Sequence, residues 1–135
     1  MPFSGTRQLE NEPIIITTYT GEIDAATVRA GSAQVAQLMA TIPDKIYAVV
    51  DLSTITTSFA EVLKIMSDQG RGDEGTTTDP KLAAMVLVGS DNMVRLYTDA
   101  MRKRVDSVAL PMYKTVEAGV EALRVMIANS KEAAS

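Results

Sequence analysis

Two stretches of the chain are apolar at almost every position, and they limit the fold more than any other feature. Residues 46–52 are interrupted only by Asp51, and residues 82–88 contain no polar side chain. Neither stretch alternates between polar and apolar residues, as a strand with one face in water would. Such stretches are typical of central strands that are covered on both faces of a parallel sheet. We therefore predict an α/β fold built on a largely parallel sheet.

Strand and helix patterns alternate along the rest of the chain. Besides the two apolar stretches, three segments are predicted as strands, over residues 6–10, 14–20 and 108–113. Four helices are predicted between or after the strands, over residues 24–41, 58–70, 93–104 and 115–127. Pro111 places the last strand at an edge of the sheet, because proline has no N–H to donate. A polar loop is predicted over 53–57, and residues 129–135 are predicted to fray.

Composition limits both the size of the domain and its chemistry. With 135 residues the chain makes a single domain, whose core we predict to lie over about residues 6–127. The chain contains no Cys, His or Trp. Their absence excludes disulfides, the usual zinc sites and any nucleophile that relies on Cys or His. No metal site and no cofactor is predicted.

Charge and hydropathy exclude further classes of protein. Thirteen Lys and Arg against 17 Asp and Glu give a net charge of −4. This balance argues against nucleic-acid binding, because phosphate contacts need a basic surface. No apolar run is long enough to span a membrane. The N-terminal residues 1–12 lack the apolar core of a signal peptide, so we expect a cytoplasmic protein.

The carboxyl ends of parallel strands meet at one edge of a sheet, and candidate functional residues gather there. Gly89, Ser90 and Asp91 form a turn into a helix. That turn can cap the helix only, or it can hold an anion or ligand at its backbone N–H groups. Asp51 ends a predicted strand, and with Asp91 it could form an acid–base or metal-binding pair. The alternative is that each carboxylate only fixes its own loop.

Three hydroxyl side chains follow the strand that contains Asp51. Thr56, Thr57 and Ser58 precede a predicted helix, and Ser58 with Glu61 has the spacing of a capping box. The hydroxyl groups can serve as helix caps only, or Ser58 or Thr57 can accept a phosphate. A phosphate at a helix N-terminus would be stabilised by the helix dipole and would change the surface without unfolding it.

Three segments match patterns that recur together in one family. Gly21-Glu22-Ile23-Asp24 opens a predicted helix, Val50-Asp51-Leu52-Ser53 ends a predicted strand, and residues 82–118 give a strand–helix–strand–helix order. In sequence and spacing these segments are similar to the G-E-L-D, D-L-S and C-terminal segments of STAS domains. Anti-sigma-factor antagonists and sulfate transporters share that domain. The resemblance covers about residues 6–127.

The resemblance implies both a fold and a function. The fold is a four- or five-stranded, mostly parallel mixed sheet with helices mainly on one face and an N-terminal hairpin as its antiparallel part. The function is that of a non-enzymatic, SpoIIAA-like regulatory module, whose protein partner is an anti-sigma factor or a kinase-like protein. The partner would bind Asp24, Ser53, Thr56 and an exposed apolar anchor, Phe59.

The family's phosphorylatable serine lies in a D-S-[ST]-G turn, and this chain has Thr57-Ser58-Phe59 at that position. The resemblance implies that phosphorylation of Ser58 or Thr57 weakens partner binding. Stand-alone STAS/Sec14-like bacterial domains, which the chain also resembles, lack this turn and are proposed to bind lipids or small apolar ligands. The alternative is therefore a carrier with an apolar pocket under residues 70–80. Homodimer formation through the first or last helix is left open.

Overall fold

The described residues form one mixed sheet of five strands. The computed structural model describes residues 3–58, 60–62, 64, 81–102 and 111–134. The strands are β1 (Phe3–Gln8), β2 (Ile14–Gly21), β3 (Ile46–Ile55), β4 (Leu82–Val88) and β5 (Met112–Tyr113), and they lie in that order across the sheet. β1 is antiparallel to β2, whereas β2 to β5 are parallel. The predicted α/β fold with an N-terminal hairpin is confirmed.

Three long helices flank the sheet in the described part of the chain. They are α1 (Ala25–Met39), α2 (Asp91–Arg102) and α3 (Val116–Ala134). Residues 60–62 and 64 are also helical, which agrees with the helix predicted to follow Ser58. Each helix follows a parallel strand, so the chain returns to the same edge of the sheet before every helix begins.

The helices cover both faces of the sheet. Met39 of α1 belongs to the same cluster of buried side chains as Ile15, whereas Leu123 of α3 clusters with Ile14. Because successive side chains of a strand point to opposite faces, α1 and α3 lie on opposite sides. The cores of β3 and β4 are therefore buried from both sides, as their uninterrupted apolar sequence predicts.

The α1 side of the sheet carries most of the helical segments. Val62 of the 60–62 turn is buried in a cluster with Tyr19 and Leu52, and Met93 of α2 packs against the same cluster. Val28 of α1 packs there as well. Within the described residues, α3 is the one long helix on the other face, in agreement with the prediction of helices mainly on one face.

β3 is longer than the sequence predicts. Residues 53–57 were expected to form a loop, but the strand continues to Ile55, where it pairs with Gly21 of β2. The register shifts between Thr18 and Thr20, so that β3 holds one extra residue in a bulge. Hydrogen bonding to β2 and the β-branched side chains of this segment outweigh its polarity.

The last strand and the last helix also differ from their predicted bounds. α3 continues to Ala134, whereas the sequence predicted the helix over residues 115–127. Lys131, Glu132 and the alanines around them are good helix formers, which accounts for the extension. Of the strand predicted over 108–113, Met112–Tyr113 is present at the sheet edge next to β4, and residues 103–110 lie outside the described residues.

An ion pair ties the β1–β2 turn to α3. Arg124 Nε donates to Glu12 Oε1 at 2.9 Å, and Arg124 Nη2 donates to Glu12 Oε2 at 3.0 Å. This two-pronged geometry suits the planar guanidinium group. The hydrogen bond from Arg124 lowers the pKa of Glu12 below its ordinary value. The contact joins residues that are 112 positions apart in the sequence.

Tyr19 lies beneath α1 and determines how closely that helix can approach the sheet. Its side chain is 5% exposed, and its hydroxyl group lies 3.5 Å from the carbonyl oxygen of Val28. A Cβ atom on Gly31 would stand 2.0 Å from Tyr19 Oη. Gly31 is therefore required for the observed packing of α1 on β2. Burial also raises the pKa of Tyr19 to about 12.

Gly31→Ala is expected to lower the free energy of unfolding by about 1–3 kcal/mol, because it overpacks this contact. Helix propensity alone predicts the opposite sign, since Ala is favoured over Gly by about 1 kcal/mol. The penalty should shrink in a Tyr19→Phe background, where the nearest remaining ring atom is Cζ, at 2.8 Å. Urea unfolding of the four proteins in this cycle measures the coupling, and equal penalties in both backgrounds would contradict the packing model.

Tyr19 should also make the protein less stable in alkali. Because the pKa of Tyr19 is about 12 in the folded chain and ordinarily 10.0, the folded state retains the phenol proton longer than the unfolded state. Stability is then complete below pH 10 and falls as the pH rises through 12, by up to about 2.7 kcal/mol in all. Tyr19→Phe should remove this part of the loss in denaturant titrations across that range, whereas Tyr113→Phe should retain it.

Candidate functional site

In the described part of the chain, the carboxyl ends of the parallel strands carry four helix starts, each capped by a side chain. In every case the capping oxygen accepts a hydrogen bond from the backbone N–H three residues later. The pairs are Asp24 Oδ1 with Thr27 N (2.8 Å), Ser58 Oγ with Glu61 N (3.3 Å), Ser90 Oγ with Met93 N (3.3 Å) and Thr115 Oγ1 with Ala118 N (3.1 Å). One edge of the sheet therefore presents several capped helix N-termini together.

Asp24 is exposed, and it caps α1 by accepting two hydrogen bonds. Its Oδ1 accepts from both the backbone N–H and the hydroxyl group of Thr27, each at 2.8 Å. The backbone hydrogen bond from Thr27 is the main cause that lowers the pKa of Asp24 below its ordinary value of 3.8. The side chain is thus a fixed negative charge at the start of α1, and its role in partner binding stays a prediction.

Thr57 connects the end of β3 to the start of α1. The backbone N–H of Ile23 donates to Thr57 Oγ1 at 2.6 Å. The Thr57 hydroxyl group in turn donates to the carbonyl oxygen of Ile23 at 3.4 Å. The backbone N–H of Thr56 donates to the carbonyl oxygen of Gly21 at 2.8 Å. These contacts bring the predicted residues Asp24, Thr56, Thr57 and Ser58 into neighbouring segments of one edge.

The two candidate phosphate acceptors differ in their surroundings. Thr57 is half-buried and its hydroxyl group is held by Ile23, whereas Ser58 is exposed. Ser58 Oγ contacts the backbone N–H of Glu61, at the weak distance of 3.3 Å. Of the two, Ser58 is the hydroxyl group that a modifying enzyme can reach without breaking the contact between α1 and the loop.

Ser53 is not a loop residue, because β3 extends past it. The Oδ1 atom of Asp51 accepts from Ser53 N at 3.0 Å and from Ser53 Oγ at 2.7 Å. Thr54 Oγ1 donates to the carbonyl oxygen of Tyr19 at 3.2 Å. Asp51 therefore fixes the bulged end of β3, which is the structural alternative that the sequence left open for this carboxylate.

The turn before α2 also makes structural contacts. Ser90 caps α2, and the exposed Asp91 lies 3.6 Å from Lys114 Nζ in an ion pair. A Cβ atom on Gly89 would stand 3.0 Å from the sulfur of Met112, so the backbone here packs closely against β5. Its predicted use as an anion or ligand turn stays a prediction.

Some predicted features lie outside the described residues. They include the apolar anchor Phe59 and the ligand pocket under residues 70–80. Among the residues that the structure does describe, no group of three or more acidic side chains is arranged to hold a metal ion. In the same part of the chain, no helix combines the length and apolar character needed to cross a membrane.

The fold of the described residues is of the SpoIIAA-like α/β type. An anti-sigma factor antagonist from Mycobacterium paratuberculosis superposes with a TM-score of 0.52 at 21% identity, over 89% of this chain and 93% of that chain. An uncharacterized protein with a SpoIIAA-like fold from Shewanella loihica PV-4 superposes with a TM-score of 0.53 at 11% identity, over 88% and 90% of the two chains. No protein-family model and no curated protein matches the sequence.

Asp24→Asn separates the charge of the cap from its hydrogen bond. Asn also caps helices well, so stability at pH 7 should change little. Because the pKa of Asp24 is lowered on folding, its contribution is complete above pH 3.8 and is lost as the pH falls through the lower, folded pKa. Thermal unfolding of both proteins between pH 7 and 2 should show a smaller acid loss for Asp24→Asn. Identical acid profiles would contradict this assignment.

Proposed function

We propose that the chain is a non-enzymatic regulatory module of the anti-sigma factor antagonist type. It binds a protein partner, an anti-sigma factor or a kinase-like protein, through the starts of α1 and of the helical turn after Ser58. A cytoplasmic location is part of this proposal. The likeness in fold to the mycobacterial antagonist supports this class without identifying the partner.

The observation that carries the proposal is the Thr57 contact. It joins Ile23 and Thr57, the residues that directly precede two exposed, polar helix starts at Asp24 and Ser58. Asp24 supplies a fixed charge and Ser58 an accessible hydroxyl group. A partner that contacts one of these residues therefore meets a surface that continues to the other.

Ser58 is the proposed switch. A phosphate there would add about −1.5 to −2 charges at the N-terminus of a helix, where the dipole favours negative charge. The helical turn would therefore persist, while Asp24 on the neighbouring segment would add to the negative charge that a partner meets. The expected effect is weaker binding of a partner that fits the uncharged hydroxyl group.

Ser58→Asp and Ser58→Asn test this switch, because both side chains cap helices and they differ in charge. We expect Ser58→Asn to capture the same partner as the wild-type chain from an extract of the source organism. Ser58→Asp should capture at least about tenfold less, which corresponds to about 1.4 kcal/mol of binding free energy. Quantitative mass spectrometry of the captured proteins measures the ratio.

Thr115→Asp is the matched control, since Thr115 is an exposed capping hydroxyl at the start of α3. It should leave capture unchanged. Equal capture by all four proteins would remove the switch from the proposal. If the wild-type chain retains no specific protein and native mass spectrometry finds a bound apolar molecule instead, the carrier alternative replaces the regulatory module.

A further inference from the structure

We infer that Thr57 is the positioning residue of the proposed binding surface. Its hydroxyl group, rather than the caps within each helix, sets the spacing between Asp24 and the Ser58 turn. The inference rests on the proposed function only in treating the two helix starts as one recognition surface. The contact itself is a property of the free chain and is testable without a partner.

The β2–β3 ladder ends before it reaches either helix start. Its last paired residues are Gly21 and Ile55, followed by the bond from Thr56 N to the carbonyl oxygen of Gly21. The two segments then separate, one toward Asp24 and the other toward Ser58. In the described chain, the hydrogen bonds that join them beyond this point are those between Thr57 and Ile23.

The Thr57 side chain takes the place of a backbone partner for Ile23. The backbone N–H of Ile23 donates to its oxygen at 2.6 Å, and the hydroxyl group is placed to donate to the carbonyl oxygen of the same residue at 3.4 Å. Ile23 is 4% exposed, so loss of this acceptor would leave a buried N–H without its partner. The hydroxyl group thus continues the hydrogen bonding between the two segments beyond the last backbone pair of β2 and β3.

Apolar packing holds the same two segments together but does not fix their register. The Ile23 side chain lies in one buried cluster with Val62 and Ile55. Apolar contacts of this kind are not directional. Hydrogen bonds depend on angle and distance, so the Thr57 contacts determine where Ser58 stands relative to Asp24. A surface held in one arrangement before binding loses less conformational freedom when it binds.

The first test is hydrogen exchange of the Ile23 amide, read residue by residue by NMR. Thr57→Val keeps the shape of the side chain and removes both hydrogen bonds, whereas Thr57→Ser keeps the hydroxyl group. The exchange rate of the Ile23 amide should rise about tenfold or more in Thr57→Val and stay near wild type in Thr57→Ser. Thr56→Val, which changes an exposed neighbouring side chain, should leave the rate unchanged.

The second test measures the spacing itself. The chain has no cysteine, so Ala26→Cys and Ala60→Cys place two spin labels at exposed positions beside the two helix starts. Dipolar electron paramagnetic resonance should give one narrow distance distribution for the labelled chain and for its Thr57→Ser form. Thr57→Val should broaden the distribution or shift it. Circular dichroism establishes that each variant is folded before it is compared.

The outcomes separate this inference from the proposed function. An unchanged Ile23 exchange rate and label distance in folded Thr57→Val would overturn the positioning role, whatever the partner does. If Thr57→Val changes both readouts and also weakens partner capture, and Thr57→Ser restores all three, the inference is supported. A changed spacing with unchanged capture would refute the positioning role in binding, while Ser58→Asp would still test the switch independently.

Discussion

Burial of β3 and β4 from both sides is the constraint on which the rest of the structure depends. Ile46 and Val49 of β3 have no exposed surface, and they belong to the clusters under α1 and under α3 respectively, so helices must cover both faces of the sheet at this point. Parallel neighbours require a crossover between each pair of strands, and every crossover begins at the same edge. The collection of helix starts there follows from the apolar core, and any function built on those starts depends on that core.

Sequence patterns predicted the elements of the core because those patterns are local. The uninterrupted apolar runs identified β3 and β4, and Asp24 and Ser58 were identified as caps from their own neighbours. These patterns did not predict the C-terminal end of β3, because pairing with a distant segment determines where that strand ends. Residues 53–55 extended β3 because Thr20 and Gly21 were available as partners, and no property of the segment itself reveals this pairing.

The candidate site was likewise predicted only in part. Single residues of the site were predicted from strand ends and caps, but the bond that brings them together was not. Thr57 and Ile23 are 34 positions apart, and the sequence shows Thr57 only as one of three adjacent hydroxyl side chains. Its β-branched shape and half-buried position mark it as a structural residue once the fold is known. Ser58, one residue later, is exposed.

The ion pair between Glu12 and Arg124 has a consequence for how the molecule opens. β5 pairs with β4 over two residues, which makes the start of α3 the less secured end of that helix. Farther along the helix, Arg124 contacts the first hairpin and the neighbouring Leu123 is buried in the cluster with Ile14, so α3 is held to the sheet there by apolar packing as well as by the ion pair. Local opening at the β5 edge can then expose the strand end without releasing α3 from the sheet.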